Sequence, residues 1–198
     1  MKHKDGVEII FPRNRTAWRT WLEKHHEKKK SVWLGFRKLA GGGKNITYSE
    51  AVEEALCFGW IDSKANKLDE SRTVQYFARR GPKSNWSQLN KQRVSRLISE
   101  ERMHQAGLDA IRVARENGAW DALNDVDNLK VPDDLLRALK KKKQAFAYFE
   151  AFPKSAKRAI LVWIASAKTA GTREKRILET VLLAARNLRA NRYPRVKS

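Results

Sequence analysis

Cysteine, acidic side chains and long apolar runs are scarce in this chain, and each scarcity excludes a class of protein. The 198 residues include one cysteine, which excludes a disulfide framework within the chain and a cysteine-rich zinc site. No apolar run approaches the roughly 20 residues that a membrane span needs. The first apolar stretch, Val7 to Phe11, ends at Pro12 and is too short for a secretory signal. We therefore expect a cytoplasmic protein with no membrane span.

Basic side chains outnumber acidic ones by 42 to 22, so the formal net charge is +20. More than half of that excess lies in residues 131–198, which hold 17 basic and 5 acidic side chains. The asymmetry predicts an anionic partner: nucleic acid, an anionic membrane surface or an acidic protein. A solvated basic face that only aids solubility is the alternative. The hydrophobic content of 41% suffices for a packed core and excludes global disorder.

The spacing of apolar residues predicts an α+β fold. We expect a small mixed β-sheet with packed helices in the N-terminal two-thirds, followed by a C-terminal helical bundle. The polar segment from Asn124 to Pro132 separates the two, so we place an α+β region at residues 1–124 and a helical region at 125–198. Gly41 to Gly43 predict a flexible loop tip, and the polar tail from Asn191 predicts fraying.

Polar residues and glycines mark the expected helix ends. One helix is expected from about Glu100 to Asn117, and Gly59 and Gly118 suit the positive φ of a helix C-terminus. Candidate N-caps are Asn14, Thr47 or Ser49, Ser87, Asp133 and Thr172.

Several short motifs together carry a family resemblance. The central ones are Cys57-Phe58-Gly59-Trp60-Ile61-Asp62, Arg79-Arg80, Ser84-Asn85-Trp86-Ser87 and Asn90, then Met103, Gly107, Gly118 and Trp120. The last third adds Trp163-Ile164, Ala167-Lys168, Thr172-Arg173 and Arg176-Ile177. From Trp18 to about Arg186 the chain resembles the YdeI/OmpD-associated family, also called the bacteriocin-protection family. The resemblance implies a bacterial or archaeal protein tied to bacteriocin protection and envelope stress, and it implies no reaction, cofactor or catalytic residue.

Asp62 is the acidic residue most suited to chemistry. It follows two bulky apolar residues at an expected helix-to-strand junction, which indicates partial burial. A buried carboxylate needs a cation or several hydrogen-bond donors, and Arg79 and Arg80 are candidates for a bidentate pair with it. Such a pair either fixes the fold, which is the interpretation we favour, or makes Asp62 a general base or a ligand anchor.

A second group of polar residues surrounds the expected turn at Gly81-Pro82. The start of the helix near Ser87 offers free backbone N–H groups and a positive dipole end, which suit a phosphate or carboxylate. Trp86 offers a surface for stacking a base, or belongs to the core, and Ser87 serves equally as a simple N-cap. The predicted anion-binding site comprises Asp62, Arg79, Arg80, Ser84, Trp86, Ser87 and Asn90, with Lys83 nearby.

Basic residues of the helical region form a third group. Lys140 to Lys143 cover too wide an arc to face one partner. If this region binds nucleic acid through about six phosphate contacts, raising the salt concentration from low to physiological would weaken binding roughly 10³–10⁵-fold. A solvated surface is the alternative. The nucleic-acid contacts would come from Lys154, Lys157, Arg158, Arg173 and Arg176.

Metal-binding and nucleophilic motifs are missing from the sequence. The four histidines have no ligand spacing with Cys57, so we predict no metal and no cofactor. Cys57 lies in an apolar string at a helix end, which favours packing over reactivity. No Gly-x-Ser-x-Gly motif occurs.

Three functions therefore fit the sequence. The favoured one is a soluble stress- or bacteriocin-protection-type protein of undetermined molecular activity, binding an anionic small molecule or acidic macromolecule through its basic site. The second is a nucleic-acid-binding module led by the C-terminal basic helices. The third is an enzyme on a small anionic substrate, with Asp62 as base. The sequence favours a non-enzymatic protein without deciding the question, and leaves the oligomeric state undetermined.

Overall fold

The chain divides into two compact units, Met1–Ala122 and Leu123–Ser198, in a computed structural model that describes residues 2–37 and 45–191. We call them the N-terminal unit and the C-terminal unit. The first combines a sheet with helices, and the second is helical throughout its described part, so the α+β fold class is confirmed. The predicted loop tip at Gly41 to Gly43 and the predicted frayed tail beyond Asn191 lie outside the described residues.

A mixed sheet forms the centre of the N-terminal unit. Its strands are β1 Lys2–Lys4, β2 Val7–Ile10, β3 Ser31–Arg37, β4 Trp60–Lys67 and β5 Arg72–Arg79. They lie in the order β1-β2-β3-β5-β4, with β2 and β3 parallel and the other neighbours antiparallel. The sequence pattern does not predict β1, because its polar residues show no apolar alternation and form an edge strand that pairs only with β2.

Helices of the N-terminal unit pack against the sheet. They are α1 Arg15–His25, α2 Tyr48–Cys57, α3 Gln88–Ser99 and α4 Gln105–Glu116. Side chains of Asn14, Thr47 and Ser87 accept hydrogen bonds from the first turns of α1, α2 and α3, which confirms these three N-caps. The core between helices and sheet includes Trp18 and Trp60, both without solvent exposure.

The C-terminal unit is a set of short helices around one apolar cluster. They are α5 Asn124–Asp127, α6 Asp133–Lys140, α7 Lys143–Ala151, α8 Lys154–Ala165 and α9 Ala170–Ala184. Leu139, Phe149 and Ile164 are fully buried in the cluster. Within residues 2–37 and 45–191, every helix is too short or too polar to cross a lipid bilayer.

Several helix starts differ from the sequence expectation. Helix α4 begins at Gln105 rather than near Glu100, because Glu101 adopts a positive φ of 55° and His104 provides the N-cap. Helix α9 begins before Thr172, whose backbone N–H is capped by the Thr169 side chain.

The second region also starts differently. Asp133 is the first residue of α6 rather than its cap, and Pro132 holds the N-cap position without a side-chain hydrogen bond. The polar segment before it contains the single helical turn α5. The backbone of Pro132 is extended, with a ψ of 148°, so the helix begins at the acid after it, where the helix dipole favours negative charge.

Glu54, in the middle of α2, is a fully buried carboxylate in contact with three arginines. Its Oε1 accepts hydrogen bonds from Arg15 Nε, at 2.5 Å, and from Arg102, and its Oε2 accepts one from Arg19 Nη1 at 2.9 Å. Arg15 and Arg19 lie on α1, whereas Arg102 lies between α3 and α4. One buried acid therefore connects three segments of the N-terminal unit.

We predict that Glu54→Gln lowers the free energy of unfolding by about 3 kcal/mol, because removal of the negative charge leaves three half-buried arginines facing one another. Urea unfolding of the full chain measures the change. Glu116→Gln is the matched control: Glu116 pairs with Arg112 on an exposed face and should contribute less than about 1 kcal/mol. Equal effects of the two substitutions would contradict the structural role of Glu54.

Candidate functional site

A cavity of about 280 Å³ lies in the N-terminal unit, at the end of β5. Arg79 and Arg80 line one side, His26 and Glu27 contribute from the segment after α1, and a face of α4 closes the opposite side. Ligand pockets of proteins measure roughly 300–1,000 Å³, so the volume lies at the small end of that range.

Two glycines allow the helices around this cavity to approach closely. Gly59 follows α2 with a φ of +70°, and a Cβ there would lie 2.8 Å from the carbonyl oxygen of Ala106. A Cβ at Gly107 would lie 2.3 Å from the carbonyl oxygen of Cys57. Both distances are too short for a real Cβ, so only glycine at these positions lets α4 pack against the end of α2 and form the cavity wall.

The Arg80 side chain is held by an aromatic ring and by backbone groups. Its backbone N–H donates to Gly59 O at 2.9 Å, and its guanidinium lies 3.7 Å from the centroid of the Trp86 ring. Nη1 donates to the carbonyl oxygens of Ser84 and Asn85, each at 3.3 Å. Stacking and two carbonyl acceptors orient the side chain without neutralising its charge.

No carboxylate among the described residues lies within 4.0 Å of the Arg80 guanidinium, and its Nε is buried without a hydrogen-bond partner. Burial lowers the pKa of Arg80 to about 10, against the opposing influence of the charge on Asp62. A desolvated cation without a counter-ion is costly, and a bound anion would offset that cost.

Arg79 lies at the edge of the same cavity and is more exposed. Its Nε donates to Lys29 O at 2.8 Å and its Nη2 to Glu27 O at 2.5 Å. These carbonyl groups belong to the turn after α1, so Arg79 ties that turn to the end of β5. Like Arg80, it has only carbonyl acceptors as partners among the described residues, and no carboxylate within 4.0 Å.

His26 is the buried titratable side chain of the cavity, with 7% exposure. Its Nδ1 lies 2.9 Å from Leu22 O, and because a carbonyl oxygen only accepts, Nδ1 carries the proton. Nε2 is therefore an acceptor in the neutral ring, and it is buried with no hydrogen-bond partner in the part of the chain that the structure describes. The ring packs against Phe58 and His104, with centroids 5.2 and 4.7 Å away.

The predicted bidentate pair of Asp62 with Arg79 or Arg80 is absent from the structure. Asp62 Oδ2 instead accepts hydrogen bonds from Tyr48 Oη at 2.7 Å and from Gln75 Nε2 at 3.0 Å. The register of β4 against β5 places Asp62 two positions away from Arg79 along the ladder. Its carboxylate therefore contacts α2 and the middle of β5, outside the cavity.

Of the seven residues predicted for the anion site, the cavity lining contains Arg79, Arg80 and Trp86. Trp86 is 1% exposed and also packs on Trp120, so it belongs to the core and supports the Arg80 guanidinium. Its ring is not open for stacking a nucleic-acid base.

The other four predicted residues lie outside the lining. Ser87 Oγ caps α3 by accepting from Asn90 N, and the Asn90 side chain accepts from Arg93. Ser84 contributes only its carbonyl oxygen, to Arg80, and Asp62 is bound as described above. The start of α3 is thus not part of the cavity.

Most of the C-terminal residues considered for nucleic-acid contact already have partners within the unit. Lys157 lies 3.2 Å from Glu150, and Arg158 lies 2.7 Å from Asp127. Arg173 pairs with Asp134 at 2.7 Å.

Arg176 donates to the carbonyl oxygen of Trp163 and lies over its ring, whereas Lys154 is exposed. The predicted five thus do not form one uncommitted basic face.

Metal-binding clusters are absent from residues 2–37 and 45–191: no three His, Cys, Asp or Glu side chains converge as ligands would. Cys57 is fully buried, and burial, with the nearby charge of Glu54, raises the pKa of its thiol. A thiol so placed is a poor nucleophile at neutral pH.

Sequence reasoning missed three polar residues of the cavity: His26, Glu27 and Asp109. His26 was considered only when metal binding by the histidines was rejected, and nothing in the local pattern separates it from a solvated histidine. Their convergence depends on the packing of α1 and α4 on α2, which no local signal indicates.

The environment of Tyr48 gives a test of the Asp62 geometry. Burial, followed by the hydrogen bond to Asp62, raises the pKa of Tyr48 to about 12, above the usual value of about 10. The unfolded chain therefore loses this proton first, so the free energy of unfolding should fall as pH rises from about 10 to 12.

We expect Asp62→Asn to lower the pKa of Tyr48 in an absorbance titration, and Tyr48→Phe to remove the step near pH 12 while the other tyrosines titrate as before. An unchanged high-pH step in Asp62→Asn would show that the two side chains do not interact.

Comparisons with known proteins divide the chain in the same way as its fold. Residues 10–110, just over half of the chain, match the family described as Domain of unknown function (DUF8412). Residues 128–187 match the family described as Bacteriocin-protection, YdeI or OmpD-Associated, which confirms the expected family there. No curated protein and no solved structure matches. The chain thus belongs to the family of Domain of unknown function (DUF8412), which covers most of the cavity, and carries a YdeI/OmpD-associated, bacteriocin-protection segment in its C-terminal unit.

Proposed function

We propose that this bacteriocin-protection-type protein binds a small anionic molecule in the cavity of its N-terminal unit, with Arg80 as the principal contact. The observation that carries the proposal is a desolvated guanidinium that, within residues 2–37 and 45–191, has only carbonyl acceptors and a buried Nε without a partner. Most other half-buried arginines of this unit are neutralised: Arg15, Arg19 and Arg102 all contact Glu54.

The remaining walls suit an organic anion better than a simple ion. Phe58 and Val113 present apolar surface to the cavity, and three alanines spaced four residues apart on α4 leave room beside them. Apolar surface with a few convergent polar groups is the usual composition of a small-molecule site. A carboxylate with a short apolar tail would pair with the Arg80 guanidinium through its charged end and cover the apolar wall with its tail.

The positive net charge of the protein favours its encounter with an anionic ligand. A net charge of +20 attracts anions to the protein surface and raises their local concentration near any exposed basic group. Arg79, at the cavity edge, would be the first cation that an entering anion meets.

The two alternative functions have less support. Asp62 lies outside the cavity and is bound by Tyr48 and Gln75, so it is poorly placed to act as a base on a ligand at Arg80. In the C-terminal unit, Arg158 and Arg173 are engaged by acidic partners, which leaves fewer cations for phosphates.

We predict that Arg80→Met weakens the binding of hydrocinnamate and isocaproate, two small carboxylates with apolar tails, at least tenfold. Methionine keeps an apolar chain on the Trp86 ring and removes the charge. Isothermal titration calorimetry of the full chain measures binding, and urea unfolding should give a stability within about 1 kcal/mol of the parent, because the lost hydrogen bonds offset the removal of a buried charge.

Arg72→Met is the matched control. Arg72 also lies near an aromatic ring, that of Phe11, but it is paired with Asp69 and lies at the other end of β5. Its replacement should leave carboxylate binding unchanged. The proposal fails if the parent protein binds no small carboxylate with an apolar tail, or if Arg80→Met binds such carboxylates as tightly as the parent does.

A further inference from the structure

The cavity presents hydrogen-bond acceptors as well as cations. Among the described residues no hydrogen-bond partner reaches the buried His26 Nε2, and Oε1 of the exposed Glu27 side chain lies 3.7 Å from it. With the proton of the neutral ring on Nδ1, both atoms are acceptors. A buried acceptor without a donor is destabilising, so a donor from a ligand would stabilise this corner.

The charges that line the cavity balance. Arg79 and Arg80 contribute two positive charges, and Glu27 and Asp109 contribute two negative ones. Asp109 lies on α4 and lines the cavity, and its Oδ1 accepts long hydrogen bonds from Gln105 Nε2 at 3.3 Å and from Arg112 Nη2 at 3.4 Å. A simple anion would satisfy the arginines and be repelled by the carboxylates, whereas a ligand with separated charges of both signs would satisfy all four.

We propose that the ligand of this cavity is a small zwitterion, an α-amino acid with an apolar side chain. The inference rests on the proposed function, since the ligand carboxylate is the anion at Arg80. The ammonium group lies at the acceptor corner formed by His26 Nε2 and the Glu27 carboxylate, within the field of Asp109. An ammonium has three donors and no acceptor, which matches a corner that offers acceptors only.

The apolar walls provide for the side chain. Phe58 and Val113 line the cavity together with Ala106, Ala110 and Ala114, whose small size on one face of α4 leaves the space open. A volume of about 280 Å³ admits a single small molecule of this kind and excludes a folded peptide. Charge at one end and apolar surface at the other would thus select apolar amino acids over charged ones.

Three matched probes in each of two series test the inference on the full chain. The first series is L-phenylalanine, hydrocinnamate, which lacks the amino group, and phenethylamine, which lacks the carboxylate. The second is L-leucine, isocaproate and isoamylamine. We expect at least one amino acid to bind at least tenfold more tightly than its acid and its amine in calorimetric titrations at neutral pH.

Variants assign the two ends of the ligand. Glu27→Gln and Asp109→Asn should reduce or abolish the advantage of the amino acid over its acid, while binding of the acid is unchanged or stronger. Arg80→Met should weaken both. Glu23→Gln is the matched control: it removes an exposed carboxylate of α1 that lies outside the cavity lining, and it should alter neither affinity.

The outcomes separate the inference from the proposed function. If the acids bind through Arg80 but neither amino acid binds better than its acid, the zwitterion inference is wrong and the anion site stands. If an amine binds as tightly as its amino acid, or if Glu27→Gln and Asp109→Asn both leave the amino-acid advantage intact, the inference is also wrong. If no acid and no amino acid binds, both proposals fall.

Discussion

Two adjacent carboxylates in the middle of α2 hold the N-terminal unit together. Glu53 is nearly buried and Glu54 completely so, and a carboxylate without water must keep its cations close. The arginines that satisfy them come from α1, from α3 and from the link before α4, and are Arg15, Arg19, Arg96 and Arg102. Segments far apart in the chain are therefore held at fixed positions around one helix, and the end of α1 is held beside the start of α4.

The candidate site is a consequence of that arrangement. Once α1 and α4 are in place, His26 from the end of α1 and Asp109 from α4 line one cavity with the two arginines at the end of β5. The arginines around α2 and those at the cavity share a residue type and differ in their partners. Arg80 stacks on Trp86 and reaches only backbone carbonyls. The arginines around α2 thus neutralise buried carboxylates, whereas the arginines at the end of β5 pair with no acid among the described residues.

Local sequence signals predicted the elements well where the cap and the apolar pattern agree. Asn14, Thr47 and Ser87 each precede an apolar stripe and cap a helix as expected. The start of α4 was misplaced because Glu100 continues a helix-favouring sequence, while the positive φ of Glu101 and the cap by His104 depend on packing against α2. Propensity alone does not detect a break that a tertiary contact imposes.

The sequence by itself determined the α+β class, most helix and strand positions and the basic character, because periodicity, turn residues and charge are local properties. Only the tertiary structure decided which acid meets which base. Asp62 was expected to pair with Arg79 or Arg80, but strand register directs it to Tyr48 and Gln75. His26 entered the cavity through helix packing, because side chains distant in the chain meet only when the core closes.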